Sequence, residues 1–208
     1  RRDALPAVEK VFVFGDYRGS RVAPGTFTAR LTVDGQQTDR SFKVLPHPGI
    51  EASAEAYRSQ QEALEQIDAA IRDMHKAVGQ LRKVTAQLHT YESLLEGNEK
   101  AQPLLEKGEA LKERITQWEE ALIQPRQKTF QDVINFNNQL KAELMHLRGF
   151  IDVAEPALTQ GARERLSDLI REWSLLAKER DAIVEEGLAE FNALYRQLEL
   201  PALILKDK

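Results

Sequence analysis

The sequence predicts a mainly α protein: an elongated antiparallel helical bundle of three long arms, the middle one broken near Pro125, preceded by a small antiparallel β segment. Three observations point there. Five of the 11 Gly and four of the eight Pro fall within residues 1–50 of the 208-residue chain, so turn-forming residues crowd the start. Apolar residues recur at every second position before Gly49, and in steps of three and four beyond it. Charge shifts at the same place, from eight basic and five acidic residues in 1–50 to 21 basic and 28 acidic in 51–208. Residues 1–49 therefore read as the C-terminal strands of a β-sandwich-like domain, and residues 50–208 as the bundle.

The first territory opens with a strand-forming run, Val11-Phe12-Val13-Phe14, followed by the turn-prone Gly15-Asp16-Tyr17-Arg18-Gly19-Ser20. From Thr26 to Val33, Phe27, Ala29, Leu31 and Val33 alternate with Thr26, Thr28, Arg30 and Thr32, the period of a half-buried strand. Asp34-Gly35 supplies a hairpin turn, because Gly and Asp tolerate the positive φ that such a turn needs. Gln37 to Val44 returns with Phe42 and Val44 on one face and stops at Pro46-His47-Pro48-Gly49. Three strands bury little alone. Their apolar face needs a cover, either the helices that follow or the earlier strands of a sandwich.

In the second territory Ser53 is an N-cap, and Leu64, Ile67, Ile71, Met74, Val78, Leu81, Leu88 and Leu95 form one seam, interrupted near Val84 and Thr85. Leu104, Gly108, Leu111, Ile115, Trp118 and Leu122 repeat the pattern, as do Phe130, Val133, Asn137, Leu140, Leu144, Leu147 and Ile151. A last seam runs through Leu166, Leu169, Trp173, Leu176, Ile183, Phe191, Leu194 and Leu198, weakened at Arg180 and Gly187. Pro103 opens a helix, Pro156 sits between two with Thr159 as cap, and Pro201 closes the last. Pro125 leaves two geometries open. The two middle pieces match the outer helices only in sum, which favours a broken middle arm; a hairpin at Pro125 would instead leave half of each long helix in a two-stranded coil.

Composition narrows function by exclusion. A net charge of −4 offers no general attraction to nucleic acid. The absence of Cys removes disulfides, thiolate metal sites and cysteine nucleophiles. No apolar run reaches the roughly 18 residues of a membrane span, and the start, Arg1-Arg2-Asp3, reads as a piece cut from a longer chain. The four His, at 47, 75, 89 and 146, show no metal-ligand spacing, and His75 and His89 read as part-solvated neighbours of the seam. Gly15 to Gly19 is followed by another strand rather than a helix, so it reads as a turn and not a phosphate loop. The pairs Glu119-Glu120 and Glu185-Glu186 diverge by about 100° on a helix and cannot flank one glycosidic bond. There is no Gly-x-Ser-x-Gly nucleophile motif. No catalytic, cofactor-binding or metal-binding residue is assigned.

What remains is a set of contact candidates. Asn135, Asn137 and Asn138 crowd three poor helix formers into one turn, which points to a cap or kink that satisfies freed backbone groups, with recognition of a partner or sugar as the alternative. Trp118 and Trp173 hold seam positions and read as core anchors; a Trp exposed at a bundle end would mark a contact surface.

Two stretches carry a family resemblance. Ala23-Pro24-Gly25-Thr26-Phe27-Thr28-Ala29-Arg30-Leu31-Thr32-Val33-Asp34-Gly35, then Phe42-Lys43-Val44, resembles the end of the β-sandwich domain in large bacterial BNR-repeat, sortilin-like β-propeller proteins, often labelled glycosyl hydrolases or sialidase-like. Ile134-Asn135-Phe136-Asn137-Asn138-Gln139-Leu140 is similar to a segment of the helical C-terminal region of those proteins. The family follows its last strand with Asp-Pro-Arg, where this chain has His47-Pro48-Gly49, so a salt bridge from that Arg is missing here. The resemblance implies a non-catalytic C-terminal structural or interaction module, with any sugar-processing residues in the parent's propeller. It also implies an extracytoplasmic setting and the rest of the parent chain, the propeller and sandwich, as partner. A carbohydrate-binding accessory domain and a self-associating coiled coil are the alternatives.

Overall fold

The computed structural model describes residues 1–8, 11 and 17–201. The expected strand Val11 to Phe14 lies, except for Val11, outside the described residues, as does the start of the turn at Gly15-Asp16. Two strands follow, β1 (Gly25–Val33) and β2 (Gln36–Val44), antiparallel and in register from Gly25 opposite Val44 to Val33 opposite Gln36. Asp34 and Gly35 turn between them at φ of 50° and 80°, the left-handed pair that a two-residue hairpin requires.

Helix α1 (Ala54–Leu95) is a single 42-residue rod, about 63 Å long at the standard rise. The Ser53 side chain accepts from the Ala56 amide at its start, and every apolar seam residue from Leu64 to Leu95 is buried. Gly97, at φ 80°, turns the chain, and Pro103 sits in the first turn of α2 (Gln102–Leu122). α3 (Leu140–Ile151) and α4 (Gln160–Ala182) follow, the latter capped by Thr159 through the Ala162 amide. A five-residue π turn, Ile183–Gly187, leads directly into α5 (Leu188–Gln197).

The middle arm is broken, not folded back. Contacts step down α1 as they step up α2 and α3: Lys112 bonds Glu92, Glu119 bonds Arg82, Arg148 bonds Asp68, and the Ile151 carbonyl accepts from Gln60. α2 therefore covers the C-terminal half of α1 and α3 its N-terminal half. The third arm runs parallel to α1 and antiparallel to the middle one, with Arg165 on Glu143, Arg180 on Asp73 and Lys107 on Glu190. The result is an up, down, up bundle of three arms.

Two details depart from the sequence expectation. The seam expected from Phe130 to Ile151 is helical only from Leu140; residues Phe130–Ile134 form a 3₁₀ turn instead. Asp132 is the reason, since its carboxylate accepts from the Lys128 and Thr129 amides at 2.8 Å each and draws the chain into a capped short turn. In the last arm, Arg180 does not weaken the seam: it sits over the Trp173 ring and bonds Asp73 and Asp181. The π turn absorbs the phase slip before Gly187, where an added Cβ would lie 2.9 Å from Leu111 Cδ1.

Two glycines in the helices should respond in opposite directions. Gly79 is exposed in mid-α1 with open space around it, so Gly79→Ala should raise stability by roughly 0.5–1 kcal/mol from helix propensity alone. At Gly108 a Cβ would stand 3.3 Å from Phe191, so Gly108→Val should cost about 1–3 kcal/mol through overpacking. Urea denaturation of the two variants checks both signs.

Candidate functional site

The features that set this molecule apart from a plain bundle lie at one end, where the N-terminal segment and the hairpin meet α1 and α3. Arg1 to Leu5 and Tyr17 to Ser20 run alongside each other, with the Arg2 amide donating to the Ser20 carbonyl at 2.8 Å and the Leu5 amide to the Tyr17 carbonyl at 2.7 Å. This paired strap is seated by Leu5, which is buried among the core side chains. Gly19 allows the close pairing, since any Cβ there would collide with the Arg2 carbonyl.

Polar side chains fasten the strap to the helices. Asp68 and Arg148, 1% and 5% exposed, form an ion pair of 2.6 Å between α1 and α3. Ser20 donates its hydroxyl to the same aspartate at 3.0 Å, and Arg148 donates to the Arg18 carbonyl at 2.5 Å. Two turns along both helices, His75 and Lys141 take the corresponding places. Lys141 Nζ reaches the Tyr17 hydroxyl at 2.5 Å, and His75 Nδ1 lies 2.5 Å from the Pro6 carbonyl. Burial holds the Lys141 amine down at about 7 and pushes the Tyr17 phenol up. Burial also lowers His75 to about 4, with the neighbouring Lys141 acting in the same direction and the Pro6 carbonyl opposing it. His75 is thus a buried residue, not the part-solvated one its sequence position suggested; the strap covers it.

Beyond the strap, the Arg21 amide donates to Asp152 at 2.9 Å, and Gln61 donates to the Arg21 carbonyl. The hairpin starts four residues later. Of its strand residues only Phe27 and Val44 are even partly buried, so the helices do not provide the cover that an apolar face needs. That face carries Phe27, Ala29, Leu31 and Val33 from β1 and Phe42 and Val44 from the root end of β2, with the polar Gln36, Thr38 and Arg40 of β2 on the same side toward the turn, because these positions share one side of the register. Phe27 and Phe42 stack at 6.0 Å, while Leu31, Val33 and Phe42 stay 64%, 56% and 50% exposed. The opposite face is polar and holds the Arg30–Asp39 ion pair at 2.8 Å. Leu45, Phe150 and Val153 add further exposed apolar surface on the segments next to the hairpin root and at the end of α3.

Comparison with models of known protein families, with curated proteins and with solved structures returns no match for this chain.

The contact candidates from the sequence are scattered. Trp118 is 1% exposed and donates its indole N–H to the Leu176 carbonyl at 2.7 Å, so it anchors α2 to α4 inside the bundle. Asn135, Asn137 and Asn138 lie together in the elbow between α2 and α3. There the Asn135 amide donates to Asp132, the Asn137 carbonyl accepts from Gln124 and the Asn138 side chain accepts from Gln127. Gln127, 6% exposed, also donates to the Phe136 carbonyl and so holds the elbow shut from inside. Glu119 serves as a bidentate partner of Arg82, remote from any second carboxylate site on the hairpin end. Among the described residues no group of three or more His, Asp or Glu is placed to hold a metal ion, and no helix is long and apolar enough to cross a membrane.

Sequence reasoning missed the strap cluster, although a signal was present. Asp68, His75 and Arg82 recur every seven residues on α1, each one place after the apolar seam, and Lys141 and Arg148 do the same on α3. A polar stripe of that period beside a seam is where neighbouring helices pair charges, as Asp68 does with Arg148 and Arg82 with Glu119, so it marks the helix pairing on which the strap lies and not the strap itself.

Removal of the buried charges separates their roles. Asp68→Asn strands Arg148 and should cost about 3–5 kcal/mol, read by urea denaturation. Lys141 differs because its charged form is disfavoured in the folded state, a penalty present in full below pH 7 that fades between 7 and 10.5. Lys141→Met should therefore stabilise the protein, and the gain should be larger at pH 6.5 than at pH 10.

Proposed function

We propose that this chain is a non-catalytic structural and interaction module, the C-terminal region of a large BNR-repeat, glycosyl-hydrolase-like protein, and that its hairpin packs against a β-rich neighbour within that parent. The observation that carries the reading is the uncovered apolar face of β1 and β2. A two-stranded ribbon is marginal by itself in water. One face is apolar along β1 and at the Phe42–Val44 end of β2, with Gln36, Thr38 and Arg40 at its edge toward the turn, while the other holds only Thr, Arg, Asp, Ser, Gln and Lys, a pattern that fits a layer covering another sheet. The bundle supplies what such a ribbon lacks, a rigid base.

Size argues for a neighbour in the parent chain over a second free copy. The side chains of the apolar face amount to roughly 500 Å² of contact, below the roughly 800 Å² per partner of a stable complex between separate molecules. A tethered partner needs less, because its local concentration is already high. The resemblance of Ala23 to Gly35 and of Phe42 to Val44 to the sandwich end of BNR-repeat proteins names the same neighbour.

Titration of the separately produced propeller and sandwich segments of the parent with this chain tests the reading by calorimetry. Binding is expected, and Leu31→Asp with Phe42→Asp should weaken it at least 30-fold while the helical circular dichroism stays unchanged, since both side chains are exposed. Concentration-dependent dimers, a glycan ligand lost with Asn137→Ala, or enzyme-like glycoside hydrolysis by this chain alone would each overturn it in favour of another function.

A further inference from the structure

Two buried nitrogens beneath the strap have no acidic partner among the described residues. Lys141, 2% exposed, bonds the neutral Tyr17 hydroxyl and faces its ring at 5.0 Å. Lys112, nearer the surface at 8% exposed, shows the usual solution, an amine held by both Glu92 and Glu109. His75, 5% exposed, carries its proton on Nδ1 toward the Pro6 carbonyl, which can only accept, and leaves Nε2 buried with no hydrogen-bond partner. As an acceptor that atom is tolerated; as a second N–H it would have nothing to donate to.

Among the described residues, the groups around His75 offer no relief from a charge. The strap presents the Tyr17 ring, edge-on at 5.7 Å, and α3 presents Lys141. Further along α3, Arg148 is matched by Asp68 of α1, whose other oxygen is taken by Ser20. On α1 itself Asp73 is engaged by Arg180 of α4. A proton on His75 therefore creates a second cation beside Lys141 in a place water does not reach.

We propose that the strap is an acid-released clasp: protonation of His75 beside Lys141 detaches Arg1–Leu5 and Tyr17–Ser20 from α1 and α3 and loosens the hairpin root at Arg21, while the three-arm bundle stays folded. The strap gives way first because it is the layer that shields both nitrogens from solvent, and it is held by a handful of bonds where the helices share a continuous apolar core. His75 is lowered in the seated state from 6.5 to about 4, so its contribution to clasp stability is complete above pH 6.5 and is lost as pH falls from there toward 4. The clasp does not depend on what the hairpin contacts, and its test needs no partner.

Amide hydrogen exchange of the whole chain at pH 7.5 and pH 5, corrected for intrinsic rates, reads the clasp at the Arg2 and Leu5 amides, which donate to Ser20 and Tyr17. Those amides should open on the order of 30-fold more at pH 5, the change expected from His75 alone. Amides of 166–176 in α4 should keep their protection. His75→Gln should remove most of the pH dependence, leaving the few-fold part that Lys141 carries between pH 7.5 and 5, and Lys141→Met should reduce it. The proposal is overturned by strap amides equally protected at both pH values, by helix amides that open together with them, or by a pH dependence that survives His75→Gln undiminished. Should that variant not fold, the ring-proton titration of His75 in the unaltered chain decides: a midpoint near 4 upholds the clasp and one near 6.5 removes it.

Discussion

The Asp68–Arg148 ion pair is the fixed point of this molecule. Two charges removed from water cost far more than an apolar contact unless each is fully satisfied, so their geometry tolerates little slip. Here the aspartate takes Arg148 and Ser20, and the guanidinium reaches on to the Arg18 carbonyl. An apolar seam alone would let α3 slide along α1 by a turn at modest cost, since Leu for Leu is nearly equivalent. The ion pair removes that freedom. It also fixes the strap, and through Arg21 and Asp152 the point from which the hairpin departs.

The broken middle arm follows from the same demand for registration. Between Glu119, opposite Arg82, and Lys141, level with His75, the chain spends 22 residues while α1 advances seven. The surplus forms the elbow of Pro125, the Asp132 turn and the Asn cluster. Its backbone is satisfied by side chains, Gln124 and Gln127 from the first half to the Asn137 and Phe136 carbonyls of the second. Asn residues that looked like candidates for sugar recognition thus lie in a joint that lets two short helices act as one arm. Arg126 over the Phe136 ring closes that joint on its outer side.

Much of the fold was legible because it depends on local chemistry. Ser53, Thr159, Pro103 and Asp34-Gly35 each act on the few residues next to them, and the seams of α1 and α2 are long enough for their period to dominate. The start of α3 was misplaced because Phe130 and Val133 keep the helical spacing, while Asp132, which interrupts it, acts through a hydrogen-bond pattern that hydrophobicity does not register. The strap was invisible for a different reason. Arg1 to Leu5 and Tyr17 to Ser20 have no periodicity, and only tertiary contact decides that they cover His75 and Lys141. Burial of a histidine is set by what lies above it, which one-dimensional spacing does not encode.

The number of arms has a geometric consequence. With two or four arms, the end of the last helix would return to the hairpin. Three arms have odd parity, so the hairpin sits at the pole where α1 begins and α5 finishes at the other, about 60 Å away along α1. Tyr91, Phe191 and Tyr195 cluster at that far pole, well away from the hairpin. The molecule is built as a strut: a displacement at one pole is carried as rigid tilt to the other, and the length of α1 sets the lever arm.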